Sequence, residues 1–351
     1  MHFVAKCCKM VGNKFEGGFG MAKRIFRKKK KRNPILPVVV ALCLVVAVLA
    51  SVLVVRTLKK SETDLPEEQP STQETTTTTE PRKTLPKSFI DRNTFSPYVV
   101  LYDATADEVL YKKNADEKCY PASLTKLATA LVALDYTKPE DVFTLGSEVS
   151  MCSPGSSRAY LTAGTQLTME NLLQALLLPS GNDAAYAIAV QVGRIIAKDP
   201  DMDRYAAVSV FCKEMNKKAK ELGCKKTKFA NPDGYHESGH YTTASDMLCI
   251  AKAAVKNKVI KGIVSQPQVN VRFISGQSAT WQNSNRLLIP ENAYTYEGAF
   301  GLKTGTTDEA GKCLAACATR DGHTSIAIVM GSESENGRWD DARGLLDLSF
   351  Q

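Results

Sequence analysis

The sequence predicts an α/β (α+β) fold, in which an antiparallel sheet is flanked by helices and a helical subdomain lies beside it. Two short apolar runs, at 98–102 and 108–112, indicate strands near the start of the domain. Helical apolar spacing then dominates as far as residue 257, and short strand patterns separated by turn residues follow up to residue 330. This order of strands, helices and strands favours a sheet with helices on its faces.

Cap and turn residues set the boundaries of the predicted elements. Thr168 is a helix N-cap, Pro179 ends the same helix, and Gly223 is the C-cap of a later one. The expected helices begin at Ser123 and then cover 168–178, 183–197, 204–222, 244–257 and 339–350. The expected strands are 98–102, 108–112, 269–274, 279–283, 299–303, 313–319 and 325–330. The turn residues at 320–322 predict a hairpin between the last two strands.

The first 55 residues have the pattern of a membrane anchor. A basic run at 23–32 precedes an apolar stretch at 35–55 that has no charged residue. A helix of that length, at about 1.5 Å per residue, spans the roughly 30 Å hydrocarbon core of a bilayer. Because Lys and Arg stay on the cytoplasmic side, residues 1–34 are predicted to be a cytoplasmic tail and 35–55 a single transmembrane helix. A cleavable signal peptide is the alternative, although its apolar core is usually shorter.

The segment 56–87 is predicted to be a disordered linker, because it is rich in Thr, Glu and Pro and cannot form a core. The catalytic domain is then expected at 88–351. The net charge of +8 comes from the N-terminal part, since residues 1–60 hold 14 of the 45 basic residues and one of the 37 acidic ones. The rest of the chain is mildly acidic, which gives no basis for nucleic-acid binding.

Ten cysteines need an explanation. Cys7 and Cys8 fall in the predicted cytoplasmic tail and Cys43 in the predicted membrane helix, which leaves an odd number outside. Cys313 and Cys317 lie four apart in a predicted strand, on one face but too far from each other to bond. We expect the thiols outside to be mostly free and buried.

The stretch around Ser123 has the pattern of an activated nucleophile. Lys126 follows Ser123 by three residues, and positions three apart share one face of a helix. A serine hydroxyl is a weak nucleophile unless a neighbouring base takes its proton. The apolar residues that follow predict a buried helix, and burial lowers the pKa of a lysine towards the value that a base needs.

Two further motifs strengthen this interpretation. The triplet 180–182 (Ser-Gly-Asn) follows Ser123 by 57 residues, and the triplet 303–305 (Lys-Thr-Gly) follows 123 residues later. Ser-x-x-Lys alone occurs often by chance, and each triplet alone can be a polar turn or a strand end. In this order the three motifs are typical of penicillin-binding proteins and class A β-lactamases.

From about residue 88 to its end, the chain resembles the D-alanyl-D-alanine carboxypeptidases, low-molecular-mass penicillin-binding proteins of the serine peptidase type. Besides the three motifs, the segments 180–184, 229–234, 240–246 and 283–287 look like that family. The resemblance implies the transpeptidase/β-lactamase fold and hydrolysis of the terminal D-alanine of peptidoglycan pentapeptides. It also implies covalent inhibition by β-lactam antibiotics and no cofactor. With the predicted transmembrane helix, we expect a bacterial cell membrane location with the catalytic domain outside.

The resemblance implies catalytic roles for three side chains. Ser123 attacks the carbonyl between the two terminal D-alanines, and Lys126 is the base that activates it. Ser180 passes a proton to the leaving amine. Asn182 holds the amide of the substrate.

The triplet at 303–305 and the residue after it are implied to bind the substrate. Lys303 attracts the C-terminal carboxylate, Thr304 belongs to the same substrate-binding strand, and Gly305 lets the substrate backbone approach closely. The backbone N–H groups of Ser123 and Thr306 are expected to form the oxyanion hole.

Other interpretations have weaker support. A β-lactamase of class A needs a deacylating glutamate, and no Glu-x-x-Leu-Asn segment lies between Asn182 and Lys303. A catalytically inactive wall-binding module would not need the intact motifs. The stretch 236–240 spells His-Glu-x-x-His, but Gly239 and the upstream turn residues predict a loop, so no metal site is expected. No serine carries the Gly-x-Ser-x-Gly elbow of a Ser-His-Asp enzyme.

Overall fold

The computed structural model describes residues 94–351. The predicted tail at 1–34, the transmembrane helix at 35–55 and the linker at 56–87 lie outside the described residues. Between residues 94 and 351, no helix combines the length and the apolar character needed to cross a membrane.

The described chain contains nine strands and seven α-helices. The strands are β1 (Tyr98–Asp103), β2 (Glu108–Lys113), β3 (Val142–Thr144), β4 (Gln166–Thr168), β5 (Gln268–Arg272), β6 (Ser278–Gln282), β7 (Ala299–Thr307), β8 (Gly311–Arg320) and β9 (His323–Ser332). The helices are α1 (Thr125–Tyr136), α2 (Met169–Leu177), α3 (Asn182–Ala197), α4 (Arg204–Glu221), α5 (Ala244–Lys256), α6 (Lys258–Val264) and α7 (Gly337–Ser349).

Five strands form one antiparallel sheet in the order β2-β1-β9-β8-β7. The first strand pair of the domain therefore joins the C-terminal strands through β1 and β9, where Val99 faces Val329. The hairpin between β8 and β9 has two connecting residues, Asp321 and Gly322, both with positive φ. This is the geometry that suits the twist of paired strands, and it confirms the predicted turn.

The sheet has an apolar core on each face, because successive strand residues point to opposite sides. Val99, Leu101 and Leu314 belong to a core that contains Trp339 of α7. Val100, Ala315 and their alternating neighbours belong to the larger core, shared with the helical subdomain. The structure thus has an antiparallel sheet with helices on its faces and a helical subdomain, as the sequence predicts.

Helix α1 is the central helix of the larger core. All residues from Thr125 to Ala133 are buried, which confirms the prediction of a helix that is buried all round. The helix begins two residues later than expected, since Ser123 lies in the preceding 3₁₀ turn Ala122–Leu124. The cap at Thr168 is also confirmed, because its side chain accepts a hydrogen bond from Asn171 N at 3.2 Å.

Candidate active site

Ser123 and Lys126 lie where the 3₁₀ turn continues into α1. Lys126 Nζ donates a hydrogen bond to Ser123 Oγ at 2.8 Å. Lys126 is fully buried, whereas Ser123 is partly exposed and lines a cleft of about 390 Å³. The structure therefore brings the hydroxyl and the amine into contact at the point where a substrate can reach the hydroxyl.

The Lys126 ammonium has an acceptor for each of its three hydrogens. Besides Ser123 Oγ, it donates to Asn182 Oδ1 at 2.6 Å and to the backbone carbonyl of Asp233 at 2.7 Å. Burial lowers the pKa of Lys126 to about 8, and the carboxylates of Asp233 and Asp183 oppose this shift. A lysine with this pKa has a substantial neutral fraction near pH 7–8, as a general base requires.

The loop that supplies the Asp233 carbonyl packs directly on the Ser123 turn. Gly234 has φ +81°, and a Cβ at this position would lie 1.8 Å from the carbonyl oxygen of Ala122. Only glycine combines this backbone conformation with this close approach. The Asp233 carboxylate is buried, and burial raises its pKa, while the charge of Lys126 opposes that shift.

His240 also contacts the turn that carries Ser123, through Thr125. Its Nδ1 accepts from the backbone N–H of Ala230 at 3.1 Å, so the ring proton is on Nε2, which lies 2.8 Å from Thr125 Oγ1. The Thr125 hydroxyl in turn donates to the carbonyl of Ala122 at 2.8 Å. Burial lowers the pKa of His240 to about 3, so the ring stays neutral near pH 7.

The His-Glu-x-x-His stretch is a loop, as its glycine predicts. His236 stacks edge-on against Tyr120 with ring centroids 4.7 Å apart, and its Nδ1 lies 3.7 Å from Glu309 Oε2. In the part of the chain that the structure describes, no group of three or more His, Cys, Asp or Glu residues is placed to hold a metal ion.

Ser180 and Asn182 lie at the start of α3, opposite Ser123. Ser180 is buried and has φ 64°, a left-handed conformation that a non-glycine residue adopts at some cost. The N–H of Asn182 donates to the carbonyl of Ser157 at 2.8 Å, which fixes the turn against the neighbouring loop. A second cavity of about 200 Å³ is lined by both Ser180 and Ser123.

Lys303 and Thr304 lie on β7, the strand at the end of the sheet that borders this second cavity. Lys303 is buried, and its Nζ donates to the carbonyl of Thr304 at 3.0 Å. Burial holds its pKa well below the usual range, and the charges of Lys126 and Arg338 lower it further. The Thr304 hydroxyl lies 2.7 Å from the hydroxyl of Ser284.

Gly305 brings β7 against the nucleophile. A Cβ at this position would lie 3.0 Å from the backbone N of Ser123 and 3.1 Å from the carbonyl of Pro121. The backbone N–H of Ser123 and the strand that carries Thr306 are therefore neighbours. This proximity is the one that an oxyanion hole formed by the N–H groups of Ser123 and Thr306 would need.

A family model described as D-alanyl-D-alanine carboxypeptidase matches residues 92–334. The chain belongs to this family. Among its relatives is the D-alanyl-D-alanine carboxypeptidase DacF of Bacillus subtilis, 34% identical over 254 residues that make up 72% of this chain and 61% of DacF. The D-alanyl-D-alanine carboxypeptidase of Streptomyces sp. K15 is 33% identical, over 69% of this chain and 82% of that protein. The chain thus spans less than two thirds of DacF.

Two solved structures of family members match the fold. The Streptomyces K15 DD-transpeptidase has a TM-score of 0.67 at 32% identity, covering 73% of this chain and 97% of that one. The carboxypeptidase DacD of Francisella tularensis has a TM-score of 0.62 at 26% identity, covering 73% of this chain and 70% of that one. These matches confirm the transpeptidase/β-lactamase-like fold.

Arg338 is a residue of the site that the sequence did not predict. It precedes the predicted last helix. Its Nη1 donates to Thr306 Oγ1 at 3.1 Å and approaches the carbonyl of Gly305 at 3.3 Å. Its Nη2 donates to the Glu335 carboxylate. Arg338 is nearly buried and lines the second cavity, and its charge is close enough to Lys303 to lower the pKa of that lysine. No sequence motif surrounds it, and only the packing of α7 on the sheet places it there.

Sequence reasoning assigned no role to Ser284, although the segment 283–287 carries part of the resemblance. The N–H of Ser284 donates to the carbonyl of Leu178 at 3.0 Å, beside the turn that holds Ser180. Its hydroxyl contacts Thr304 on β7. Ser284 therefore connects the two sides of the cavity.

Proposed function

We propose that the protein is a serine-type D-Ala-D-Ala carboxypeptidase, which removes the terminal D-alanine from peptidoglycan stem peptides through an acyl-enzyme on Ser123. The observation that carries this proposal is the 2.8 Å hydrogen bond between Lys126 Nζ and Ser123 Oγ in an open cleft. Membership of the carboxypeptidase family supports the same reaction.

In the proposed acylation, the neutral Lys126 amine takes the Ser123 proton while Ser123 Oγ attacks the carbonyl carbon of the penultimate D-alanine. The oxyanion that forms accepts hydrogen bonds from the backbone N–H groups of Ser123 and Thr306. The tetrahedral intermediate then collapses, the peptide C–N bond breaks, and the proton passes through the Ser180 hydroxyl to the leaving amine. Water later cleaves the acyl ester, which releases the shortened peptide and restores the serine.

The proposed substrate orientation follows from the distribution of charge. The terminal D-alanine carries a carboxylate, and Arg338 is a cation that lines the cavity on the β7 side of Ser123. Charge-assisted hydrogen bonds to a carboxylate are among the strongest in proteins. The proposal therefore places the C-terminal carboxylate at Thr304, Thr306 and Arg338, and the Asn182 amide on the peptide backbone that precedes the scissile bond.

The proposal extends to the location of the protein. The uncharged segment 35–55 and the basic run before it support a single membrane helix with the catalytic domain outside and the segment 56–87 as a spacer. Full-length protein is then expected in the membrane fraction after an alkaline wash, and a chain without residues 1–55 in the soluble fraction. A mature chain that begins after residue 51 would instead indicate a cleaved signal peptide.

The test of the activity is the intact mass of the full-length protein during exposure to benzylpenicillin, next to a Ser123→Ala variant. A β-lactam presents the same acyl–D-alanine-like bond to the serine, so a one-to-one adduct that persists is expected in the wild type alone. The same samples should release D-alanine from a pentapeptide. An adduct that disappears while the drug is destroyed would indicate a β-lactamase. If neither an adduct nor released D-alanine were found, the inactive wall-binding module would be the remaining interpretation.

A further inference from the structure

The seven cysteines of the described chain fall into two groups. Five are buried and lie in the cores, namely Cys119, Cys152, Cys212, Cys313 and Cys317. The other two, Cys224 and Cys249, are half-buried. This agrees with the expectation that the thiols are mostly free and buried, and it leaves two that small reagents can reach.

The two half-buried thiols are neighbours. Cys224 lies in the loop after α4, and Cys249 lies in the second turn of α5. Cys224 Sγ is 3.4 Å from the carbonyl of Asp246, which lies three residues, or about one helical turn, before Cys249 on the same helix. The contact therefore brings together two elements that are 25 residues apart in sequence.

The backbone around both cysteines is held in place. The Asp246 carboxylate accepts from the N–H groups of Lys225 at 3.0 Å and Lys226 at 2.7 Å, and from the hydroxyl of Thr227 at 2.7 Å. The N–H of Cys224 donates to the carbonyl of Ala219 at 2.9 Å, closing the end of α4. The thiol contact is thus part of a fixed junction between a loop and a helix start.

The chemistry of the pair is asymmetric. The neighbouring Cys224 thiol lowers the pKa of Cys249 to about 7, whereas the Cys249 thiol and burial raise the pKa of Cys224. Burial raises the pKa of the five core thiols, for example that of Cys313 to about 11. Because the thiolate is the reactive form, Cys249 is the thiol of the described chain that an oxidant attacks first.

We propose that Cys224 and Cys249 are a disulfide site that closes the segment between them covalently. The Cys249 thiolate attacks one sulfur of an external disulfide, either a small-molecule disulfide or an oxidoreductase, and the other sulfur leaves as a thiolate. Cys224 then loses its proton and attacks Cys249 Sγ, which expels the second thiol of the oxidant. Two electrons pass to the oxidant, and one S–S bond forms in the protein.

The closed segment is the one that supports the catalytic lysine. Residues 224–249 contain Asp233, whose carbonyl accepts from Lys126 at 2.7 Å, and His240, which lies 2.8 Å from Thr125. A cross-link at the ends of this segment removes conformations from the unfolded chain. The site therefore suits an oxidising compartment outside the membrane, where it would stabilise the support of Lys126.

The test treats full-length protein with oxidised glutathione at pH 8 and maps its tryptic peptides without reduction. We expect the peptide 221–225 linked to 229–252, with a mass lower by two hydrogens than the sum of the separate peptides. Oxidised protein is expected to melt about 5–10 °C above protein kept reduced. In a Cys224→Ser variant, glutathione is expected to stay on Cys249, because no second thiol displaces it.

A Cys152→Ser variant, which loses a core thiol, is the matched control and should keep both the linked peptide and the melting difference. Two results would overturn the proposal. One is wild-type protein in which glutathione remains on Cys249 or in which other cysteines pair instead. The other is a linked protein that melts at the same temperature as the reduced one. None of these measurements depends on catalytic activity.

Discussion

Each side of the catalytic cleft contains a buried lysine, and the two lysines differ in their hydrogen-bond acceptors. The helical wall consists of Ser123, Lys126, Asn182 and Asp233, and there Lys126 donates to three acceptors within 2.8 Å. The strand wall consists of residues 303–306 and Arg338, and there the Lys303 amine donates to a single backbone carbonyl, at 3.0 Å. Among the described residues, Lys303 therefore has fewer hydrogen-bond acceptors than Lys126.

The charges near the two lysines also differ. The carboxylates of Asp233 and Asp183 lie near Lys126 and oppose the loss of its proton. Lys303 instead lies near the positive charges of Lys126 and Arg338, which add to the effect of burial. An anionic group that entered the second cavity would relieve this repulsion. The carboxylates near Lys126 thus favour its protonated form, whereas the cations near Lys303 favour its neutral amine.

The largest expected effect comes from the loss of Lys126 in the helical wall. A Lys126→Gln variant should be acylated by benzylpenicillin about 10²–10⁴-fold more slowly, because no base remains to accept the Ser123 proton. The measurement is the growth of the adduct mass with time. A Lys112→Gln variant, which changes an exposed lysine on β2, is the control and should react at the wild-type rate. Equal rates in the Lys126 variant and the wild type would remove Lys126 from the role of base.

The next largest effect tests whether Arg338 in the strand wall binds the carboxylate of the substrate. An Arg338→Gln variant should lose about 10–100-fold in kcat/KM for a peptide that ends in D-Ala-D-Ala, because a charge-assisted hydrogen bond to the carboxylate is lost. The same peptide with a C-terminal amide should be cleaved almost equally by variant and wild type. Arg343→Gln, in the same helix, is the matched control. An equal loss for acid and amide would show that Arg338 acts only on the structure of β7.

The pH dependence of the rate tests whether Lys126 is the base. Since the pKa of Lys126 is lowered to about 8, its neutral fraction falls as the pH drops below that value. We expect kcat/KM to level off above about pH 8 and to fall by up to about tenfold per pH unit below it. The groups that face Lys126 are Asp233, Asp183, Cys152, Lys303 and His240. A rate that stays constant between pH 6 and 9 would contradict a lysine base with this pKa.

The smallest expected effect concerns the contact between the walls. Ser284→Ala removes the hydroxyl that contacts Thr304 and should lower kcat/KM about 3–10-fold, the usual cost of one neutral hydrogen bond. Ser284→Thr keeps a hydroxyl and should recover most of the loss. Ser278→Ala, on the exposed strand β6, is the control. If the Ala and Thr variants were equally impaired, the size of the side chain and not its hydroxyl would explain the effect.

The helical wall was easier to predict from the sequence than the strand wall. Ser123 and Lys126 are three residues apart, so local helix geometry alone places them together. The carbonyl of Asp233 was not predictable, because a backbone acceptor leaves no residue-type signal and depends on the conformation of Gly234. Arg338 was missed because it reaches the site through the packing of α7. The sheet order β2-β1-β9 depends on pairing between distant segments, which local patterns do not encode.

The position of β7 at the end of the sheet also affects the solubility of the protein. Among the described strands, β7 has a neighbour on one side only, and an open strand edge is a template for association with another chain. A substrate in extended form needs that edge to stay accessible, so it cannot simply be covered. Arg338 places a positive charge beside it. Two copies that met edge to edge would bring their Arg338 side chains towards each other, which disfavours self-association while a peptide with a carboxylate is still admitted.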